Sequence, residues 1–510
     1  MPDGFHLALV VAETFVFAAA ATWLVRRAAR RRGWLAPPRP DRWHREPTAL
    51  YGGVGIFAAF ALGLLWQLPW SAFSASLLVL TAVMFVAGLV DDAADIRPQT
   101  KVVVQLSCGL LLYAADFHFN DAFAWWLDLA IVVFWVVAIT NALNLLDNMN
   151  GLAAGTAVIA GVSRLLLFQQ TGNTEGALAS AVLVGAVLGF LIFNFPRASI
   201  FMGDGGSFTI GFALAALNLT SGEAYSKSVF SIFIFPVLAL ALPIFDTAFV
   251  SVVRYLSGRA ISQGGRDHTS HRLVAIGLGE TSAVVILWTI SAAAGGIAYL
   301  LYNVGFSYAL FAMAILLLGL ALFGIVLSRV RVYPEGEEPD GPASAWGFTL
   351  PGELLYKRQI LWVLVDAVTV VLALSTAVEL AALTPGAAVP PLAEAVAVPG
   401  SAVLPPGLLV GPPSGLSVTV ACVSIAFFAL GLYRRDWAHF GLRVAARIAL
   451  AAAIGLAAAG LLQRVLPPGA PWAPATLAAA WVLVLLSVCG TRVVVRTLDA
   501  WLHRAGGARG

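Results

Sequence analysis

The chain has 510 residues, of which 60% are hydrophobic and only 11% are charged, whereas a soluble globular protein is about 45–50% apolar and about 25% charged. This composition excludes a soluble globular protein, a disordered chain and a disulfide scaffold, and it indicates a polytopic membrane protein. The net charge of +3 excludes little by itself, because the positions of the charges are more informative than their sum.

Apolar runs follow one another along the chain. A helical span needs about 20 apolar residues, and helices are expected because the backbone in hydrocarbon must satisfy its own hydrogen bonds. We predict an all-α polytopic protein with about fifteen spans, of which 52–67 is marginal and 207–219 is short. The predicted spans are 5–25, 52–67, 71–90, 101–116, 122–141, 151–169, 177–195, 207–219, 229–253, 282–301, 306–328, 359–382, 414–432, 441–463 and 474–491.

The Lys and Arg residues predict the orientation of these spans. If the N-terminus is outside, 27 of the 30 basic residues fall in cytoplasmic segments, and the exceptions are Arg164, Lys227 and Arg464. Because cytoplasmic loops are enriched in Lys and Arg, we predict an outside N-terminus and a cytoplasmic C-terminus.

One segment interrupts the series of spans. Residues 332–357 are polar, acidic and rich in Gly and Pro, which is typical of an exposed linker. We therefore predict an eleven-span membrane domain at 1–331, a cytoplasmic linker at 332–357 and a four-span extension at 358–510. Residues 383–413, with many Pro and Ala and no basic residue, are predicted to form an outside loop.

Four polar clusters lie at span ends on the predicted cytoplasmic side. They contain Asp91, Asp92 and Lys101; Asn141, Asn144, Asp147 and Asn150; Phe201 with Gly203-Asp204-Gly205-Gly206-Ser207; and Arg266, His268 and His271. Each cluster also has a purely structural interpretation: acids cap helices, amides pack between helices, Gly-rich segments form turns, and loop histidines are solvated.

Taken together, the four clusters predict metal-assisted phosphoryl transfer. Carboxylate and carboxamide oxygens suit Mg²⁺, while Arg and His beside such an ion suit phosphate groups. The spacing of His268 and His271 also suits zinc, but the sequence offers no third ligand nearby. We therefore predict Mg²⁺-assisted phosphoryl transfer at the cytoplasmic membrane surface.

The motifs resemble those of the polyprenyl-phosphate N-acetylhexosamine-1-phosphate transferases, the glycosyltransferase family 4 enzymes that include the bacterial MraY and WecA. The pieces occur in the family's order across residues 1 to about 330. They are Asp41-Arg42-Trp43-His44 with Pro47-Thr48 and Gly52-Gly53; Asp91-Asp92 with Lys101; Asn141-x-x-Asn144-x-x-Asp147; Gly151-Leu-Ala; Phe201 to Ser207; and Asp267-His268-x-x-His271-Arg-Leu.

This resemblance implies a reaction and its partners. A sugar 1-phosphate, with N-acetylglucosamine as the default sugar, moves from a UDP-sugar to undecaprenyl or another polyprenyl phosphate and releases UMP. The implied setting is cell-envelope polysaccharide synthesis at the bacterial inner membrane, with the active site facing the cytoplasm. Mg²⁺ is the implied cofactor and Mn²⁺ its substitute. No nucleic-acid partner is expected, and similar enzymes are often homodimers.

The resemblance also implies residue roles. Asp204 and Asn144 are expected to ligate Mg²⁺, and Asp91 to act as base or nucleophile. The other expected catalytic residues are Asp92 beside the metal or Asp91, Lys101 on a phosphate, and Asp147. The expected substrate contacts are Phe201 stacked on uracil, Asn150 hydrogen-bonded to uracil, Arg266, His268 and His271 on the diphosphate or sugar, and Asn141 and His44.

Two departures from the family pattern keep other functions open. Asn150 stands where many bacterial members have Asp, and Ser270 takes one slot of a usual run of three histidines. The second departure argues against a MurNAc-pentapeptide substrate. The alternatives are a family member that has lost catalysis and acts as a scaffold, and a transporter of an anionic lipid-linked substrate. A transporter, however, usually has two related halves with midplane binding residues.

The extension at 358–510 resembles the four-span membrane unit that precedes nucleotide-sugar epimerase/dehydratase domains in polysaccharide-synthesis proteins. No dinucleotide-binding Gly motif follows it, so we expect no catalysis there. An accessory bundle that packs or docks polysaccharide-synthesis partners is the preferred interpretation.

Overall fold

The structure is a computed structural model, and the part of the chain that it describes has gaps. The described residues are 3–37, 47–94, 96–119, 124–219, 229–256, 265–303, 306–328, 330, 332, 365–366, 369–370, 373–374, 377, 415–432, 441–465 and 474–507. His44, almost all of the predicted linker and the outside loop at 383–413 therefore lie outside the described residues. The chain divides into two compact units, the first within 1–251, 265–274 and 278–303, and the second within 252–264, 275–277 and 304–510.

The first unit is built from helices and one very short sheet. Its elements are α1 (Gly4–Arg32), β1 (Leu35–Ala36), β2 (Thr48–Ala49), α2 (Gly53–Gln67), α3 (Ala72–Ala94), α4 (Pro98–Ala114), α5 (Trp125–Leu146), α6 (Leu152–Thr171), α7 (Thr174–Asn194), α8 (Gly203–Asn218), α9 (Val229–Ala239), most of α10 (Ala241–Leu256), α11 (Thr269–Ala275) and α12 (Glu280–Asn303). β1 and β2 pair antiparallel, and Ala49 makes a parallel bridge to Ile200.

Eight helices among the described residues are long and apolar enough to cross a membrane. Shorter apolar helices occur at Gly53–Gln67, Leu316–Ser328 and Val418–Ala429. The sequence prediction of an all-α multi-pass membrane protein is confirmed, apart from the two-residue strands.

The predicted span at 229–253 consists of two helices instead of one. α9 ends at Ala239 and α10 begins at Ala241. Pro243 has no N–H group to donate to the carbonyl of residue 239, so the regular ladder of hydrogen bonds is interrupted at this point. The apolar run alone gave no indication of this break.

The basic residue Arg164, an exception to the predicted charge distribution, is buried between helices. Its Nε donates a 2.7 Å hydrogen bond to the carbonyl of Leu217 at the C-terminal end of α8, and its guanidinium stacks on Phe168. A cation at a helix C-terminus stabilises carbonyls that have no partner within the helix. Arg164 is therefore a structural residue that supports the end of α8.

The second unit contains α13 (Phe306–Ser328), α14 (Gly415–Ala429), α15 (Leu442–Val465) and α16 (Pro474–Gly507). Its apolar core includes side chains from all four helices, such as Ile325, Phe427, Ile448 and Val484. α13, which the sequence analysis assigned to the first domain, thus packs in the second unit. Two charged residues, Asp366 and Arg492, are also buried in this unit. Arg492 donates two 2.5 Å hydrogen bonds to the carboxylate of Asp366.

Candidate active site

The end of α3 and the start of α4 bring a carboxylate and an ammonium group together. α4 begins with Pro98 at its first turn, a position that suits proline because no N–H is needed there. One turn later, Lys101 forms an ion pair with Asp91. Asp91 also accepts a 2.9 Å hydrogen bond from the backbone N–H of Ile96. Only 4% of the Asp91 side chain is exposed, whereas 23% of the Lys101 side chain is exposed.

Asp92, the next residue, holds the first turn of α8. Its two carboxylate oxygens accept hydrogen bonds from the backbone N–H groups of Asp204 at 2.7 Å and Gly205 at 3.0 Å. An acid at a helix N-terminus satisfies N–H groups that have no partner within the helix and interacts favourably with the helix dipole. Gly203 has a positive φ of 73°, and a Cβ there would lie 2.5 Å from the Asp92 carboxylate. Asp92 therefore positions Asp204.

Asp204 lies at the centre of the cluster and is half-buried, with 31% of its side chain exposed. Its Oδ2 is 3.3 Å from Nζ of Lys101, and its Oδ1 accepts a 2.9 Å hydrogen bond from Nδ2 of Asn144. Asn144 also donates to the Ser207 hydroxyl at 2.9 Å. Side chains from α3, α4, α5 and α8 thus meet around one half-buried carboxylate.

This donor set fits a hard divalent cation. Lys101 pairs with the carboxylates of Asp91 and Asp204, and Asp92 bonds the backbone beside Asp204. Three carboxylates with one ammonium group leave an excess of negative charge for a cation to neutralise. Among the described residues, no group of three or more His, Cys, Asp or Glu side chains forms a metal site, so the protein groups provide an incomplete set of ligands. Mg²⁺ suits such an incomplete set, because it is bound by one or two carboxylates together with waters and substrate phosphates.

The loop between α5 and α6 carries the predicted uracil-binding residue Asn150. The loop follows Asp147, which caps the end of α5, and ends at Gly151 with a positive φ of 77°. The N–H of Gly151 donates a 2.7 Å hydrogen bond to the side chain of Asn194, whose Nδ2 donates to the carbonyl of Ile200 at 3.0 Å. Asn194 thereby ties the Asn150 loop to the segment that carries Phe201.

Phe201 is fixed through its backbone. Its N–H donates to the carbonyl of Ala49, and its carbonyl accepts from the N–H of Gly52, both at 2.8 Å. The segment before α8 is therefore bound to the start of α2. The ring of Phe201 is half-buried, which leaves part of it accessible.

Asn141 is bound to a neighbouring helix. It exchanges hydrogen bonds of 2.6 and 3.3 Å with the amide of Gln105 on α4. Its Nδ2 also donates to the carbonyl of Val137. These contacts join α4 to α5, and the predicted substrate contact of Asn141 stays a prediction.

The histidine segment is held by Asp246 of α10, a residue that the sequence analysis did not select. Asp246 lies 2.7 Å from Nδ1 of His268 and accepts hydrogen bonds from both the N–H and the hydroxyl of Thr269. Its only sequence signal was an acid within an apolar run. Arg266, half-buried, precedes this segment.

His271 lies in the same segment in a buried environment. Its burial, together with the nearby His268 and Arg266, lowers the pKa of His271 to about 4. The imidazole is therefore neutral near pH 7, so it acts as a hydrogen-bonding group and not as a positive charge. Of the residues predicted to bind the diphosphate, Arg266 brings a permanent charge.

A hydrogen bond joins the histidine segment to the Asn150 loop. The hydroxyl of Ser270 donates to Oδ1 of Asn148 at 2.6 Å. This bond joins the loop that carries Asn150 to the segment that carries His268 and His271. Asp91, Lys101, Asn144 and Asp204 form the other group of direct contacts.

Comparisons with known proteins identify the family. Residues 74–222 match the model of glycosyl transferase family 4. The chain is 32% identical over 280 residues to a probable undecaprenyl-phosphate N-acetylglucosaminyl 1-phosphate transferase of Bacillus subtilis (strain 168), which covers 53% of this chain and 77% of that protein. The chain belongs to glycosyl transferase family 4. The sequence predictions of this family and of a transferase are confirmed.

Two further relatives bear on this family member. A decaprenyl-phosphate N-acetylglucosaminephosphotransferase of Mycobacterium tuberculosis (strain ATCC 25618 / H37Rv) is 32% identical over 363 residues, which cover 64% of this chain and 90% of that protein. A phospho-N-acetylmuramoyl-pentapeptide-transferase of Limosilactobacillus reuteri (strain DSM 20016) is 29% identical over 228 residues, which cover 40% of this chain and 71% of that protein. The matched family region includes Asp91, Lys101, Asn144 and Asp204. The predicted resemblance of residues 358–510 stays a prediction.

Proposed function

We propose that this family 4 member transfers N-acetylglucosamine 1-phosphate from UDP-N-acetylglucosamine to a polyprenyl phosphate and releases UMP. The observation that supports it best is the convergence of Asp91, Lys101, Asn144 and Asp204 at adjoining helix ends. A set of oxygen ligands beside a fixed ammonium group suits a reaction between two phosphate-bearing substrates.

The relatives support N-acetylglucosamine as the sugar. The two relatives whose names specify N-acetylglucosamine transfer align over more of this chain and of their own length than the pentapeptide transferase does. Their names specify undecaprenyl and decaprenyl phosphate, so the acceptor proposed here is a polyprenyl phosphate of either length. Ser270 in place of a family histidine also argues against the pentapeptide-bearing sugar.

We assign the first step to Asp91 and Lys101. An incoming lipid phosphate competes with Asp91 for Lys101, because both are anions that pair with the same ammonium group. Once released from this ion pair, the Asp91 carboxylate is a stronger base and takes the proton of the lipid phosphate. The deprotonated oxygen then attacks the phosphorus that carries the sugar. The diphosphate P–O bond breaks, and UMP leaves with the electron pair.

The metal is assigned to Asp204 and Asn144, in a family that depends on divalent cations. When bound, Mg²⁺ supplies neutralisation of the two anionic substrates and of the charge that develops on departing UMP. Asp92 fixes the backbone that carries Asp204, and Asp147 precedes the loop expected to hold the nucleotide. Mn²⁺, which also prefers oxygen ligands, is the expected substitute.

The nucleotide-sugar contacts are assigned by their neighbourhood. Phe201 offers a half-buried ring for stacking on uracil, and Asn150 offers an amide for its polar edge. Arg266 and His268 are assigned to the diphosphate, and neutral His271 to hydrogen bonding with the sugar or phosphate. The bond between Ser270 and Asn148 supports one continuous site for these groups.

The orientation proposed is the one predicted from the charges. With fifteen spans, an outside N-terminus and a cytoplasmic C-terminus, 27 of the 30 basic residues face the cytoplasm. The active site then faces the cytoplasm of a bacterial inner membrane, where UDP-sugars are made. The extension at 358–510 is proposed to be an accessory bundle that packs or docks polysaccharide-synthesis partners.

A panel assay tests this function. The purified full chain is given Mg²⁺ and undecaprenyl or decaprenyl phosphate. It receives radiolabelled UDP-N-acetylglucosamine, UDP-N-acetylgalactosamine or UDP-MurNAc-pentapeptide in separate reactions. We expect lipid-phase label and an equal amount of UMP with UDP-N-acetylglucosamine, and neither product after removal of divalent ions by EDTA. Binding of UDP-sugars without UMP release from any of them would reject the transferase in favour of a scaffold or a transporter. Transfer of a different sugar would reject only the sugar.

A further inference from the structure

Asp246 of α10 is a carboxylate with about 1% of its surface exposed. Burial of an ionised carboxylate is costly unless hydrogen-bond donors or a counter-charge compensate it, and acids within apolar segments of membrane proteins tend to be functional. The described residues provide Asp246 with hydrogen-bond donors from His268 and Thr269.

All three donors come from the start of one short helix. Oδ2 lies 2.7 Å from Nδ1 of His268. Oδ1 accepts from the N–H of Thr269 at 2.8 Å and from its hydroxyl at 2.7 Å. Because Thr269 is the first residue of α11, a single carboxylate fixes both the imidazole ring and the backbone that carries it.

The contact also determines which ring nitrogen of His268 holds a hydrogen. A carboxylate accepts only, so the atom facing it, Nδ1, carries the hydrogen. The remaining nitrogen, Nε2, lies on the other edge of the ring. A carboxylate behind a functional histidine commonly fixes its tautomer and orientation in this way.

A second tether keeps α11 in place when this contact is altered. Ser270 donates to Asn148 in the loop between α5 and α6. α11 is thus held by α10 through His268 and Thr269, and by the Asn150 loop through Ser270. A change that affects only the Oδ2 side of Asp246 should turn the ring of His268 without releasing the helix.

We propose that Asp246 is a positioning residue that orients His268, through Nδ1, for binding the sugar diphosphate. This inference rests on the proposed function, since His268 acts there on the nucleotide-sugar substrate. The competing explanation is that Asp246 serves only to attach α10 to α11 through Thr269.

The variant Asp246→Asn separates these explanations. The amide keeps one oxygen to accept from Thr269 and replaces the oxygen that faces His268 with a donor, which conflicts with the hydrogen on Nδ1. We expect kcat/KM for UDP-N-acetylglucosamine to fall roughly tenfold or more, with little change in the thermal unfolding temperature. If Asp246 acts through His268, the effects of Asp246→Asn and His268→Gln are not additive. The double variant then loses little more than His268→Gln alone, because residues in one hydrogen-bond network are coupled.

Asp128→Asn is the matched control. Asp128 is also a buried acid, and it accepts a 3.3 Å hydrogen bond from the N–H of Phe119, but it has no place in the proposed site. We expect its kcat/KM to equal that of the unaltered chain. The Thr269→Val variant removes only the hydroxyl bond to Asp246. We expect it to lower the thermal unfolding temperature and to have only a small effect on kcat/KM.

Three results overturn the inference. The first is an unchanged kcat/KM in Asp246→Asn. The second is additive effects of Asp246→Asn and His268→Gln on kcat/KM. The third is a loss of kcat/KM in Thr269→Val as large as that in Asp246→Asn.

If Asp246→Asn yields no folded protein, Asp246→Glu is the deciding variant, because the longer acid displaces the ring while retaining the charge. Full kcat/KM in the folded Glu variant would then reject positioning. Absence of transfer in the unaltered chain would instead show that the proposed function had failed.

Discussion

Adjacent carboxylates at the end of α3 have different surroundings. Successive residues of an α-helix project about 100° apart, so Asp91 points to Lys101 while Asp92 points to the backbone of α8. The first carboxylate is paired with a cation that a phosphate can take over. The second is committed to N–H groups that no substrate replaces. Only Asp91 is therefore suited to proton transfer.

We expect substitution of Asp91 or Asp204 by Asn to remove most activity. In Asp91→Asn, the new amide cannot accept the proton of the lipid phosphate, which costs roughly 10²- to 10⁴-fold in kcat. Asp204→Asn removes a charged metal ligand, so a comparable loss should be accompanied by a higher Mg²⁺ requirement. UMP release from UDP-N-acetylglucosamine, measured at several Mg²⁺ concentrations, tests both variants.

Asp92→Asn provides the contrast within the same site. It keeps one acceptor for the two N–H groups of α8, so we expect a smaller loss of kcat than in Asp91→Asn and a lower unfolding temperature. Full activity in either Asp91→Asn or Asp204→Asn would contradict the assignment. Equal kcat in the Asp91 and Asp92 variants would contradict the division of roles between the neighbours.

The sequence predicts the residues that occur in motifs and misses those that act singly. Asp91, Lys101 and Asp204 could be selected because several polar residues occur together at span ends. Asp246 and Asn194 are single polar residues within apolar runs, and their hydrogen-bond partners are 22 and 43 residues away along the chain. Only tertiary packing shows that each holds a loop of the site.

At the scale of elements, close packing against α8 positions the carboxylate cluster. A Cβ on Gly88 of α3 would lie 2.4 Å from the backbone oxygen of Asp204. A Cβ on Gly53 of α2 would lie 2.2 Å from the backbone nitrogen of Gly206. Both distances are shorter than van der Waals contact, so α8 approaches its neighbours this closely only because glycine stands at both positions.

Gly88→Ala should therefore impair the site without touching a charged group. The new methyl group meets backbone atoms, so the first turn of α8 must move and Asp204 moves with it. A displacement of about 1 Å at a catalytic site costs on the order of 100-fold in rate. We expect kcat to fall by about that factor and the Mg²⁺ requirement to rise.

Gly296→Ala is the matched control for Gly88→Ala. Gly296 also lies within a helix, α12, but a Cβ there would meet nothing within 4 Å. This variant should retain the kcat and Mg²⁺ requirement of the unaltered chain. If Gly88→Ala proved as active as Gly296→Ala, the close approach of α3 to α8 would not be what positions Asp204.

The sequence predicts the positions of apolar helices well. It does not show as clearly which of these helices span a membrane. α8 is only 16 residues long, and all of its residues from Gly205 to Asn218 are buried. A helix that is apolar on all sides is equally typical of a protein core and of a membrane span. Hydropathy therefore finds such helices without distinguishing the two settings. The break between α9 and α10 was missed because both halves are apolar.

On the scale of the whole molecule, the second unit contains a buried ion pair that differs from the apolar packing around it. Arg492 and Asp366 are fully buried, and two nitrogens of the guanidinium bind the two carboxylate oxygens. Removal of one partner from such a pair leaves an unpaired buried charge, which costs about 3–5 kcal/mol. Replacement of both by apolar residues of similar volume is often neutral or stabilising.

We therefore expect Asp366→Leu alone to lower the unfolding temperature of the full chain strongly, and Asp366→Leu with Arg492→Met to restore it. Arg496→Met, an exposed position on the same helix α16, should leave the unfolding temperature almost unchanged. Unfolding in detergent, followed by fluorescence and by limited proteolysis, measures these effects.

Because the proposed catalytic residues all lie in the first unit, UMP release per folded molecule should be the same in the double variant as in the unaltered chain. A double variant as unstable as Asp366→Leu would show that the pair provides specific hydrogen bonds that apolar packing does not replace. A stable double variant with impaired UMP release would instead give the extension a direct part in catalysis.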